Sequence, residues 1–221
     1  MEDNMEKVLL HTPEGVRDVY GKECAVKLTI ENSINKVFNI YGYHNIQTPT
    51  FEFFDIFSKE RGSVASKNLY KFFDREGNTL VLRPDVTPSI ARLVAKYYMD
   101  VKVPVKLCYN ANTYINNSEL QGKLKENTQL GCELINDDSV EADAEILALV
   151  VDSLKAAGLK EFLVEIGHAD FYKGLLEECG FDTENEQELR KRIENKNYFG
   201  VEEILDNNSI TGQLKEAFLK L

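Results

Sequence analysis

Two short constellations in this 221-residue chain have the residue types to hold a small polar ligand. The first is Leu82-Arg83-Pro84-Asp85-Val86-Thr87, which sets a carboxylate and a hydroxyl two positions apart. It falls where an extended run ends and a helical run begins, a junction that presents polar groups to a ligand. The second is Gln129 and Glu133, four positions apart in an extended run. Residues i and i+4 of a strand lie on one face. The amide and the carboxylate are therefore expected together, with Leu130 and Cys132 on the other, core-facing side. Such a pair suits an amino group or an imidazole N–H. Both patterns also have a plainer meaning. Asp85 and Thr87 fit the role of caps on the following helix, and Gln129 and Glu133 fit a solvated sheet face.

The elements that must position these groups are legible from periodicity and punctuation. Residues 22–41 carry Val26, Ile30, Ile34, Val37, Phe38 and Tyr41 at helical spacing, with Gly42 as a stop. A short extended piece at 43–47 ends at Thr48-Pro49, and 51–57 is aromatic-rich and extended or a short buried segment. Residues 70–74 and 79–82 flank Arg75-Glu76-Gly77-Asn78, a hairpin signal. Thr87 is expected to cap a helix that runs to Tyr98, with Pro88 at its first position. Two extended runs within 106–135 follow, joined by a polar loop. Ser139 caps a helix at 140–157, 162–166 reads as a strand, and 169–179 reads as a helix closed by Gly180. Helices and antiparallel strands in irregular order favour an α+β fold. Composition shifts after Phe181. Residues 1–181 are expected to form the core, and 182–221 a charged helical extension or the start of an insertion.

Composition narrows the function classes. The chain is 43% hydrophobic and 29% charged, ordinary for a soluble globular protein. Its net charge of −11 disfavours a nucleic-acid backbone as partner, since that contact needs a positive surface. No apolar stretch has membrane-spanning length, and the acidic Met1–Lys7 segment is unlike a signal peptide, so a cytoplasmic location is expected. The four cysteines, Cys24, Cys108, Cys132 and Cys179, form no Cys-x-x-Cys pair and read as reduced thiols. His11, His44 and His168 lack metal-ligand spacing. There is no P-loop, nucleophile elbow or dinucleotide fingerprint. No cofactor, no metal and no catalytic residue is expected.

Residues 106–135, an extended run, a polar loop and a second extended run ending in Gln129-Leu-Gly-Cys-Glu133, resemble the strand–loop–strand signature of class II aminoacyl-tRNA synthetases, most closely histidyl-tRNA synthetase. The resemblance covers about residues 8–180. It implies a synthetase-like core of antiparallel sheet flanked by helices, ending here before the last family motif. It also implies that Asp85 and Thr87 face the α-amino group of a histidine, and that Gln129 and Glu133 line the rest of that pocket. Asp85 stands where the family has a glutamate, one methylene longer. The family's ATP-binding arginine follows the aromatic residue that ends the first strand. Here Tyr114 is followed by Ile115, and Asn117 replaces a glutamate two positions on. Isoleucine has neither charge nor donor for a phosphate.

One family combines a kept amino-acid pocket with a lost ATP grip. Arg83–Arg92, Gln121–Glu126 and Glu141–Glu145 are similar to motif segments of the regulatory subunit of ATP phosphoribosyltransferase. That resemblance implies a non-catalytic, allosteric protein of histidine biosynthesis. Its expected partner is the short catalytic subunit, its effector is histidine, and its assembly is a homodimer within a hetero-octamer. The alternatives are a histidyl-tRNA synthetase, or a fragment of one, joining histidine to tRNA with ATP, and a binding module for another ligand in the same cleft.

Overall fold

The computed structural model describes residues 10–58, 64–117 and 122–220. Met1–Lys7, and Gln121 of the Gln121–Glu126 segment, lie outside the described residues. The chain divides into two compact units, 1–162 and 163–221.

The first unit opens with helix α1, Gly21–Ile40. Strand β1 (His44–Asn45), strand β2 (Phe51–Phe53) and the short helix α2 (Asp55–Ser58) follow. The hairpin forms as expected from β3 (Lys71–Phe73) and β4 (Thr79–Leu82). Its turn is closed by the Asp74 carboxylate, which accepts from the Asn78 amide at 2.8 Å and the Glu76 amide at 3.1 Å. Helix α3 covers Thr87–Tyr97, and the two long strands are β5 (Val105–Tyr114) and β6 (Glu126–Ile135). Helix α4, Val140–Ala156, starts at Ser139, whose hydroxyl accepts from the Ala142 amide at 3.1 Å.

Two three-stranded sheets result, in orders β1-β5-β6 and β2-β4-β3. In the first, β1 is parallel to β5 and β6 antiparallel to it, with Val105 opposite Ile135 and Tyr114 opposite Glu126. The two faces of this ladder serve different cores. Val105, Leu107 and Tyr109 join Val86 and Ile90 of the α3 region, with Ala111 and Ile135 against them. Cys108 joins Phe38 of α1, Tyr43 and Leu149 of α4, with Leu130, Cys132 and Leu134 against them. The alternation is the ordinary period of two for a strand.

Arg83 ties the two sheets together. Its guanidinium is 5% exposed and donates to the carbonyls of Asn112 at 2.8 Å, Thr48 at 2.8 Å and Pro49 at 3.1 Å. Its own backbone amide donates to Thr50 O at 3.0 Å, and its carbonyl accepts from the Tyr114 amide at 2.9 Å. A buried cation is tolerated here because carbonyl dipoles replace its water shell. Gly15, at φ +83, admits the close approach of Lys125, whose amide donates to Gly15 O at 2.7 Å.

Four expectations change. Residues 162–166 form no strand, and Leu163 is 81% exposed. A largely apolar run makes a strand only beside a hydrogen-bonding neighbour, and the β1-β5-β6 sheet pairs none with this segment. Val86, not Thr87, holds the N-cap position of α3, and Thr87 is already helical. The stripe on α1 is covered at Ile34, Phe38 and Tyr41, while Val26 remains 59% exposed. The division falls between Phe162 and Leu163 instead of after Phe181. The reason is packing: helix α5 (Ala169–Cys179) contributes Tyr172, Leu175 and Leu176 to the core of the second unit. That core is Leu189 of α6 (Thr183–Glu194), Val201 and Leu205 of α7 (Tyr198–Asn207), and Phe218 of α8 (Gly212–Leu219). The polar tail is thus a set of amphipathic helices with its own apolar centre.

Replacing Arg83 leaves carbonyls of Thr48, Pro49 and Asn112 without their donor. Arg83→Ala is expected to lower the unfolding free energy by about 3 kcal/mol, read from urea denaturation. A change within ~0.5 kcal/mol would show that the cation is not the link between the sheets.

Candidate functional site

Three of the four residues singled out in the sequence converge. The end of β4 is pinned by Arg83, and Val86, 1% exposed, is buried beside Ile90. Between these two anchors the chain has little freedom, and it carries Asp85 and Thr87 toward the β5–β6 ladder. The Thr87 hydroxyl donates to Glu133 Oε1 at 2.7 Å. Asp85 Oδ1 accepts from the Thr87 backbone amide at 3.4 Å. The capping reading is therefore half right: the Asp85 carboxylate meets the first amide of α3, whereas the Thr87 side chain reaches across to β6.

Gln129 and Glu133 share the α3-facing side of β6, paired with Ala111 and Leu107. Four residues of strand separate them by about 13 Å. No hydrogen bond joins Gln129 to Thr87 or Glu133. Gln129 therefore belongs to the same face at its far end, not to the Thr87–Glu133 contact.

Between them stands a residue the sequence reading passed over. Tyr109 is 4% exposed and pairs in register with Gly131. A Cβ at position 131 would collide with the Tyr109 ring and hydroxyl. The ring therefore occupies the space that the missing side chain leaves. The signal was present: in Gln129-Leu-Gly131-Cys-Glu133 the glycine lies on the same face as the two polar residues, as it must where a large side chain crosses the strand.

The electrostatics follow from burial. The half-buried Glu133 carboxyl is raised above the usual range chiefly by desolvation. The nearby Asp85 charge adds to this, and the Thr87 hydrogen bond opposes it. Tyr109 is pushed up to about 12, mainly by burial and then by the Glu133 charge, so it stays a neutral phenol. On the opposite face Cys132 is pushed up to about 11 by burial, so its thiol is unreactive. Among the described residues no group of three or more His, Cys, Asp or Glu side chains is arranged to hold a metal ion. The arrangement offers carboxylate oxygens and hydroxyls to N–H donors.

At the outer end of the ladder, the Ile115 amide donates to Lys125 O at 2.9 Å and the Asn117 side chain to Leu124 O at 3.3 Å. Lys125 lies with its stem against Gly15. A recess of about 660 Å3 opens on the other face, between α1 and the ladder, lined by Lys27, Glu31, Asn112, Thr128 and Leu130 among others. None of Asp85, Thr87, Gln129 or Glu133 lines it.

Comparison with known proteins places the chain in a family. Residues 15–221 match the family described as histidyl-tRNA synthetase. An ATP phosphoribosyltransferase regulatory subunit of Ruminiclostridium cellulolyticum is 45% identical over 98% of the chain and 52% of its own length. The protein of that name from Acetivibrio thermocellus is 41% identical over 95% of the chain and 50% of its own length. A crystal structure from Bacillus halodurans, titled as an ATP phosphoribosyltransferase regulatory subunit/histidyl-tRNA synthetase, superposes with a TM-score of 0.85 at 36% identity. That superposition covers 96% of this chain and 55% of the other. The chain thus spans about half the length of the curated relatives it matches.

The Glu133 shift has a sign that stability measurements can read. Its folded pKa lies above its unfolded one, so the folded state holds the proton to higher pH. The group therefore penalises folding wherever it is ionised in both states, and the penalty fades as pH falls through the folded pKa. Glu133→Gln keeps an acceptor for Thr87 and removes the charge. It is expected to unfold at a higher temperature than the parent chain at neutral pH, with the gain gone below about pH 4. Equal thermal unfolding midpoints across that range would contradict the burial argument.

Proposed function

The chain belongs to the histidyl-tRNA synthetase family, and from that premise we propose that it acts as a non-catalytic regulatory subunit of ATP phosphoribosyltransferase in histidine biosynthesis. The proposed role is to sense histidine and to support the short catalytic subunit. The observation that carries the reading is a contrast within one sheet. Thr87, Glu133 and Asp85 come together as acceptors for ligand N–H groups. Tyr114, at the end of the same strand pair, is followed by Ile115, which we read as standing where the resemblance implies a phosphate-binding arginine.

Asp85 and Thr87 are assigned to the α-amino group of histidine, and Gln129 and Glu133 to the rest of the ligand. Glu133 suits an imidazole N–H because a desolvated carboxylate accepts strongly. Ile115 and Asn117 supply no positive charge for a triphosphate, so the transferring phosphoryl group lacks the electrostatic stabilisation on which adenylation depends. A pocket that binds an amino acid without consuming it reports its concentration. That report reaches a partner only if the ligand prefers one of two assembly states. The assembly proposed is a homodimer within a hetero-octamer with the catalytic subunit, in the cytoplasm. The net charge of −11 further disfavours tRNA as the partner.

The second reading, a histidyl-tRNA ligase or part of one, rests on the same Asp85 and Gln129 segments. One set of measurements separates the two. Calorimetric titration is expected to show histidine binding and no ATP binding, with Glu133→Ala weakening histidine at least about tenfold. Mixing the chain with a short catalytic subunit is expected to raise its turnover, in a manner that histidine alters. Failure to bind or activate that subunit would sink the regulatory reading. Histidine-driven ATP–pyrophosphate exchange would establish the ligase instead.

A further inference from the structure

We propose that Tyr109, seated over Gly131, sets the upper size limit of the ligand that this face of β6 accepts. The inference rests on the histidine-sensing reading and adds to it the residue pair that confines the ligand to one small ring.

The geometry starts from a missing side chain. Gln129, Gly131 and Glu133 follow one another on the α3-facing side of β6. A Cβ on residue 131 would project between the two polar groups, roughly 7 Å along the strand from each. The Tyr109 ring fills that position from β5 instead. Its Cζ and Cε1 atoms lie 2.5 and 3.0 Å from where the Cβ would stand, and its hydroxyl oxygen is closer still. The end of the phenol therefore rests on the Gly131 backbone, midway between the amide and the carboxylate.

The ring has nowhere to withdraw. It is 4% exposed and packed among Val86, Ile90, Val105 and Leu107. Val86 stands between Asp85 and Thr87 in the chain, so the segment that brings Thr87 to Glu133 also clamps the ring. A wall of this kind acts by volume. Interiors are close-packed, and a group that needs occupied space forces side chains off their rotamers. One surplus carbon in a fitted pocket changes binding about 10- to 200-fold. A ligand whose imidazole N–H is held at Glu133 is thus limited to a ring that carries no substituent where it meets the phenol.

The test titrates the purified chain by calorimetry with histidine and with its ring-methylated forms, methylated at C2, Nπ or Nτ. The parent is expected to bind histidine at least about tenfold more tightly than any methylated form. Tyr109→Phe keeps the ring and vacates the space of about one methyl group. It is expected to raise the affinity of at least one methylated form about tenfold relative to histidine. Gly131→Ala is expected to weaken histidine at least about tenfold. Adding Tyr109→Leu to it is expected to restore most of that loss, because the new Cβ collides with ring atoms that leucine lacks. A purely structural role for the ring would weaken every ligand in parallel. An unchanged affinity ratio in Tyr109→Phe therefore overturns the inference, whatever the glycine variants do. If the parent prefers another amino acid, the histidine reading falls, and the same ratio, read with that ligand and its methylated forms, decides the size limit. A parent chain that binds no amino acid overturns both.

Discussion

The register between β5 and β6 is the constraint on which the rest of the molecule depends. With Cys108 opposite Cys132 and Tyr109 opposite Gly131, apolar side chains fill both faces. One face packs on α1 and α4 and the other on α3. A slip of one residue would turn Glu133 into the cluster of Phe38, Tyr43 and Leu149, and would turn Leu130 and Leu134 to the α3 face. Burying an unpaired carboxylate costs several kcal/mol, more than a ladder gains by sliding. The same register puts a glycine where the Tyr109 ring must cross. Fold and site therefore have one origin: the alternation that makes the core also sorts the polar groups onto the face they occupy.

Arg83 converts this ladder into a fixed frame. Surface ion pairs such as Lys173–Asp170 or Arg190–Glu194 contribute little, because water and salt screen them. Arg83 is different in kind. It is buried, and its partners are backbone carbonyls from the 48–49 segment and from β5. Its own pKa is lowered by desolvation, yet an arginine so far above neutrality stays charged. The partly buried Arg92–Glu52 pair, at 2.7 Å, holds α3 to β2 in the same region. The strand end that delivers Asp85 and Thr87 is thus held from several directions. Rigid support of this sort is what a binding site needs, since misplacing an acceptor by an ångström loses its hydrogen bonds.

The site is also held against its own stability. Desolvation and the neighbouring Asp85 both disfavour the Glu133 anion. A core built for stability alone would place a neutral side chain there. Perturbed groups that share a face with other polar residues are a recurrent mark of function. Under the proposed reading, the ligand relieves the strain by donating to the carboxylate, so binding energy comes partly from a penalty already present in the empty protein.

Local chemistry determined much of this protein directly from its sequence. Ser139 capping α4, Gly180 ending α5, the Asp74-closed hairpin and the two long strands each depend on neighbours within a few positions, and short-range patterns report them. Gln129 and Glu133 share a face because a strand alternates. Ile115 after Tyr114 needed no coordinates to read. Tertiary structure alone decided the rest. Thr87 reads as a cap until β6 brings Glu133 within reach of its hydroxyl, a contact between residues 46 positions apart. The run at 162–166 has strand composition but no partner strand, and a backbone ladder cannot form alone. The polar tail hides Leu189, Val201, Leu205 and Phe218 at a spacing whose common centre appears only when α5 to α8 pack. The Tyr109 ring crosses β6 because Gly131 lies opposite it, and cross-strand register is a property of two segments that neither encodes by itself.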